Sequence, residues 1–138
     1  MRYATPSPPR HHLIAAAESF ARISCFADLC YRYYLYDDLS QRSRLERLAL
    51  KELSSHLESI PDKYHQRIIA TALTELTYPC PSNDPNQYPF SERERATCSG
   101  ISRQTWRTHG MNDACKDIID HIIAIAHSVR IKVKSQIF

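Results

Sequence analysis

Arg103, Gln104, Thr105 and Arg107 lie within five consecutive residues, and their side chains share one chemistry. An arginine fork offers two parallel donors that match N7 and O6 of guanine. A glutamine amide offers the donor and acceptor that match N7 and N6 of adenine, and a threonine hydroxyl serves either base. Carried on one exposed face of a short helix, such a set can read base edges in a major groove. Trp106 sits among them and, at helical spacing, falls on the opposite side, where an indole belongs in a core.

The surrounding residues supply what such a helix needs. Ser102 is suited to cap it, its hydroxyl accepting from the free amides of a helix that begins at Arg103. Gly100 supplies a turn position where a positive φ carries no steric cost, and Ile101 plugs the space behind it. Upstream, Ser91 and Glu94 have the spacing of a capping box, which predicts a preceding helix. Ala96 is small enough to let the two helices cross closely. Gly110 ends the second helix, and Asn112 is expected to cap a final one of about twenty residues, with Ile118, Ile119, Ile122, Ile125, Ala126 and Val129 as its apolar stripe. Read without the outward basic face, Ala96 and Gly100 would also suit an ordinary helical hairpin.

This arrangement over residues 91–109 resembles helix-turn-helix DNA-binding proteins. Arg95 and Ser99 stand where such motifs usually carry apolar residues, and the last core position falls on His109, so a variant packing is expected. The longer order is two leucine-rich helices, a proline-rich connection, the stretch SGISRQTW and a closing helix with basic residues. It resembles the bacteriophage late-gene antitermination proteins of the Q type. That resemblance implies a helix-turn-helix reading DNA through Arg103, Gln104 and Arg107, and N-terminal helices that engage bacterial RNA polymerase. A subgroup of antitermination proteins with a cysteine zinc knuckle is not the one resembled, because no CxxC pair occurs here.

Charge agrees with a polyanionic partner. The net charge is +3, and from His121 to Phe138 there is no acidic residue while Arg130, Lys132 and Lys134 recur. Arg93, Arg95, Lys116, Arg130, Lys132 and Lys134 are therefore the candidates for phosphate contacts, which supply most non-specific affinity for double-stranded DNA. Basic residues near a helix C-terminus also suit its dipole without any ligand.

Catalysis is not expected. The chain has seven histidines but no HExxH arrangement, and its two glycines cannot form a phosphate-cradling loop. Asp37 and Asp38 lie where capping explains them. Cys25, Cys30, Cys80, Cys98 and Cys115 are an odd number without metal-ligand spacing, so neither a disulfide framework nor a zinc site is expected, and Cys25, Cys30 and Cys115 read as core. No metal or cofactor is implied. Without a secretory segment the expected compartment is reducing, the cytoplasm of a bacterial host, with no membrane association.

The expected fold is all-α, a helical bundle with a C-terminal helix-turn-helix, since two glycines are too few for a set of hairpins. Residues 1–10, with three prolines, read as an extended arm; residues 11–77 as a helical scaffold; residues 78–90 as a proline-rich loop; and residues 91–138 as the two short helices and the closing helix, all in one compact domain. Helices are expected over 11–36, 40–60 and 62–77. The second buries Leu45, Leu48, Leu53, Leu57 and Ile60, and the third Ile68, Ile69, Ala72, Leu73 and Leu76. The tyrosine-rich segment CYRYYLYDD exceeds what one buried face can hold, which points to a protein interface at Tyr33 or Tyr36. The closing stripe is also long enough to be the seam of a homodimer. A small protein-binding adaptor or inhibitor using the tyrosines is the competing reading.

Overall fold

The computed structural model describes residues 24–79 and 88–137. The expected arm over 1–10, residues 11–23 of the first expected helix and residues 80–87 of the proline-rich loop lie outside the described residues. Among the described residues there are six α-helices, two 3-10 turns and no strand, so the chain is all-helical. They are α1 (Cys25–Tyr36), α2 (Arg42–Glu52), α3 (His65–Glu75), α4 (Glu92–Ser99), α5 (Arg103–Thr108) and α6 (Met111–Ile137). No helix among the described residues is long and apolar enough to cross a membrane.

By their contacts the described residues form two units, one of residues 24–45 with 121–137 and one of residues 46–120. This division differs from a partition by consecutive segments: it cuts through α2 and α6, each of which has residues in both units.

In the first unit, α1 begins where the Ser24 hydroxyl accepts from the Ala27 amide at 3.2 Å and ends at Asp37, whose φ of 51° is left-handed. An asparagine or aspartate tolerates that conformation better than most residues do. Next to it, Asp38 Oδ1 accepts from the Ser40 amide at 3.1 Å and hydroxyl at 2.6 Å, so these carboxylates shape the turn into α2. Arg32 Nε donates to both oxygens of Asp28 one turn back, an i,i+4 pair along the helix.

Phe26, Leu29, Cys30, Tyr31, Tyr33 and Leu35 are all buried, so α1 hides more than one stripe. Tyr31 and Leu35 cluster with Ala126, Val129 and Val133 of α6. Tyr34 meets the His127 ring edge-on at 6.0 Å, and burial, then the nearby Arg130 charge, holds that imidazole below its ordinary pKa. The expected interface at Tyr33 is corrected here, because that ring is only 3% exposed and belongs to the core. Tyr36 is half-buried; its hydroxyl accepts from that of Tyr31 at 3.2 Å. Tyrosines crowd this segment because a helix buried on several sides needs large rings that still have polar ends to satisfy.

The second unit begins within α2. Leu45, Ala49 and Leu53 recur every fourth residue and are buried, while Leu48 is only half-buried. The helix expected to reach residue 60 stops at Glu52, and a 3-10 turn over Ser54–Leu57 follows. Ser54 and Ser55 are weak helix formers, and the tighter turn still delivers Leu57 and Ile60 to the core. Pro61 then opens a second 3-10 turn, Asp62–Tyr64, so α3 starts at His65 rather than at residue 62. His65 Nε2 lies 2.7 Å from the Ile60 carbonyl, which can only accept, so that nitrogen carries the proton and closes the turn. The stripe expected of α3 is buried in full, at Ile68, Ile69, Ala72, Leu73 and Leu76, and Glu75 is buried with it.

The cysteines differ sharply in environment. Cys30 and Cys115 are buried and Cys98 is exposed, while Cys25 is intermediate rather than core. Burial pushes the Cys115 thiol up to about 12 and that of Cys30 higher still. Since the thiolate is the nucleophile, alkylation of the native protein near neutral pH should label Cys98 and spare Cys30 and Cys115 until denaturant is added. Peptide mass spectrometry reads this directly, and labelling of Cys115 at the rate of Cys98 would contradict the packing.

Candidate nucleic-acid interface

The second unit carries the two short helices. Ser91 caps α4 in a closed capping box: its hydroxyl accepts from the Glu94 amide at 3.2 Å, and the Glu94 carboxylate accepts from the Ser91 amide at 3.1 Å. The chain leaves α4 at Gly100, where φ is +73°. A side chain there would meet open space but a strained backbone, so conformation is what requires the glycine. Ser99, polar where an apolar residue was expected, works within the turn. Its hydroxyl donates to the Ala96 carbonyl at 2.8 Å and accepts from the Ile101 amide at 3.1 Å.

Ser102 caps α5 through the Thr105 amide at 3.2 Å, and its hydroxyl also donates to Thr105 Oγ1 at 2.8 Å. After the six residues of α5 and His109 the chain turns at Gly110, φ +64°, and re-enters a helix immediately. Asn112, expected to cap α6, instead lies inside its first turn, since that helix begins at Met111. Its side chain is used elsewhere, as follows.

Arg95 Nε and Nη2 donate to the two oxygens of Glu75 at 2.7 and 3.0 Å, and Nη1 donates to Asn112 Oδ1 at 2.9 Å. The same Asn112 oxygen accepts from the Trp106 indole at 3.3 Å. Arg95 is 1% exposed and Glu75 and Trp106 are fully buried. Burial alone would lower the guanidinium pKa, but the hydrogen bonds and charge of Glu75 outweigh it and the net direction is up. Arg95 is therefore corrected from the phosphate-contact set: it is buried, and all three of its guanidinium nitrogens bond inside the protein. Tyr88 covers it, with the Arg95 guanidinium 5.1 Å from the ring centroid and the Lys116 ammonium 5.7 Å away. The Tyr88 hydroxyl donates to the Asp120 carboxylate at 2.8 Å, and burial, then that carboxylate, pushes its pKa up to about 12.

With Trp106 turned inward, Arg103, Gln104, Arg107 and Thr108 are exposed and Thr105 is intermediate. Successive helical residues rotate by about 100°, so the four exposed positions span less than half a turn of circumference opposite the indole. The structure thus brings Arg103, Gln104 and Arg107 onto one face, with Thr105 at its margin and its hydroxyl tied to the cap. His109, the last expected core position, is half-buried and lies 5.9 Å from the Tyr64 ring.

Of the candidate phosphate contacts, Arg93 is exposed on α4, and Lys116 is half-buried beside Tyr88. Arg130, Lys132 and Lys134 belong to the other unit. Sequence reasoning missed Glu92. Its Oε1 accepts from Arg107 Nε at 2.5 Å and from Arg103 Nε at 3.5 Å. The Arg107 hydrogen bond is the main reason its carboxyl is held below its ordinary pKa. An acidic residue in a first turn already suits the helix dipole, so nothing in the sequence marked this one out. Among the described residues no group of three histidine, cysteine or acidic side chains could hold a metal ion.

Comparison with protein-family models, with curated proteins and with solved structures finds no match for this chain.

The Glu75–Arg95 pair yields a test by unfolding. Removing one partner strands a buried charge, so Glu75→Ala should cost about 3–5 kcal/mol, whereas replacing both partners with apolar residues of similar volume, Glu75→Leu with Arg95→Met, should recover much of the loss. Urea denaturation of the three proteins decides it. A double variant no more stable than Glu75→Ala would contradict the stranded-charge account.

Proposed function

We propose that this protein is a sequence-specific DNA-binding transcription regulator of the phage antitermination type, with α4, the glycine turn and α5 acting as a helix-turn-helix. The observation that carries this reading is the construction of α5. It is capped at its start, locked from behind by a fully buried indole, and presents Arg103, Gln104 and Arg107 on one solvated face. Such side chains on a helix match purine edges in a major groove. Arg93, exposed on α4, is suited to a phosphate of the same duplex. Burial of Tyr33 leaves the competing adaptor reading with Tyr36, the half-buried ring of its two tyrosines.

Base contacts and phosphate contacts respond differently to substitution. Arg103→Ala or Gln104→Ala should cost about 1–3 kcal/mol on a site selected from random duplexes and relax preference at one position of it. Arg93→Ala should weaken selected and random duplexes alike and flatten the salt dependence. Fluorescence anisotropy on both duplexes over a range of salt measures this. Equal loss on both for Arg103→Ala would move that residue to the phosphate class, and absence of salt-dependent duplex binding would end the proposal.

The antitermination part rests on a second contact, with bacterial RNA polymerase. Tyr36, at the C-terminal end of α1, is half-buried where Tyr33 is buried, and is suited to that contact. Tyr36→Ala should reduce co-purification with polymerase and read-through of a terminator while leaving duplex affinity unchanged. Duplex binding without either polymerase effect in the unmodified protein would leave an ordinary repressor or activator.

A further inference from the structure

Two arginines one helical turn apart on α5 converge on a single carboxylate oxygen of α4, and both reach it through Nε. The arginines are half exposed or more, at 50% and 59%, and the Glu92 side chain is 27% exposed. An ion pair this open adds little to stability. Its consequence is geometric. A guanidinium has five donors in a fixed plane. Once Nε is committed to Glu92, the full two-donor edge left is the outer one, formed by the two Nη groups. That edge is complementary to the O6 and N7 acceptors of guanine, whereas adenine places an amino donor where one of those acceptors would be.

From this we propose that Glu92 is a positioning residue that aims Arg107, with Arg103 beside it, end-on at guanine and away from the phosphate backbone. The inference rests on the DNA-reading proposed above and names the base that the reading selects. Glu92 acts in two ways. As an acceptor it fixes the plane of the Arg107 fork, so that less side-chain freedom is lost on binding. As a negative charge at the start of α4 it repels phosphates, which turns a residue that would bind any duplex into one that discriminates. Its carboxyl, held below the ordinary carboxylate range by Arg107, is ionised throughout the neutral range in which such binding would occur.

The experiment is a selection from random duplexes followed by anisotropy titrations of the full chain, with circular dichroism melting of each variant to confirm that it is folded. The unmodified protein should select a site containing guanine at a position whose preference disappears in Arg107→Ala. Glu92→Gln should then bind random duplex more tightly, with a steeper salt dependence, and lose roughly tenfold or more of its preference for guanine at that position, within the range a bidentate pair supplies. Glu92→Ala should do the same, which guards against the glutamine amide replacing the carboxylate as acceptor. Arg107→Lys should lose the guanine preference while keeping random-duplex affinity, and adding Glu92→Gln to it should cost no further preference. If the unmodified protein selects guanine and both Glu92 variants select it equally well, the positioning role is overturned and the DNA-reading proposal stands. If the unmodified protein shows no duplex preference at all, both fall.

Discussion

A charge pair closed off from water holds the candidate reading face in place. Glu75 of α3 and Arg95 of α4 meet through two parallel hydrogen bonds, and the third arm of the guanidinium reaches Asn112 at the start of α6. Asn112 also receives the indole of Trp106, so α5 is joined to the same knot. A buried ion pair adds little net stability over apolar packing, because desolvation offsets most of the attraction. What it adds is direction: a bidentate arginine–carboxylate contact tolerates few relative orientations of the helices that carry it. Four helices share one network, and the exposed face of α5 inherits its orientation from that network.

The polar residues that depart from the pattern of the proposed helix-turn-helix have a physical explanation in their surroundings. Arg95 occupies a position where an apolar side chain is usual, and it is nevertheless buried, its charge matched by Glu75. Ser99 replaces another apolar residue and spends its hydroxyl on the two backbone groups that define the turn. His109 keeps a partly buried position against Tyr64. Arg95 and Ser99 therefore each come with the hydrogen-bond partners that make their placement tolerable, as buried polar groups require.

The tyrosine-rich segment follows the same logic on a larger scale. Tyr31 and Tyr33 are core residues of the first unit, and the Tyr31 ring meets Tyr36 edge-on at 5.2 Å while its hydroxyl is satisfied by the same neighbour. A helix flanked on several sides can bury aromatic rings at successive positions, which a single amphipathic stripe cannot. Abundance of tyrosine is thus no measure of surface here.

The sequence by itself determined the local structure. Ser24 aside, the caps at Ser91 and Ser102, the left-handed Gly100, the inward Trp106 and the buried stripe of α3 were all legible, because each depends on residues within one or two turns of one another. The all-helical class followed from periodicity and the shortage of glycine. Tertiary structure alone decided the rest. Glu75 and Arg95 are twenty positions apart, and no local pattern distinguishes a solvated arginine on α4 from one whose guanidinium is buried and paired inside. Glu92 likewise read as an ordinary first-turn acid until α5 folded back beside it. The early end of α2 and the burial of Tyr33 were hidden for the same reason. Helix propensity and apolar spacing state what a segment prefers, but which of its faces is covered, and which charge finds a partner, is set by the neighbours that the fold brings to it.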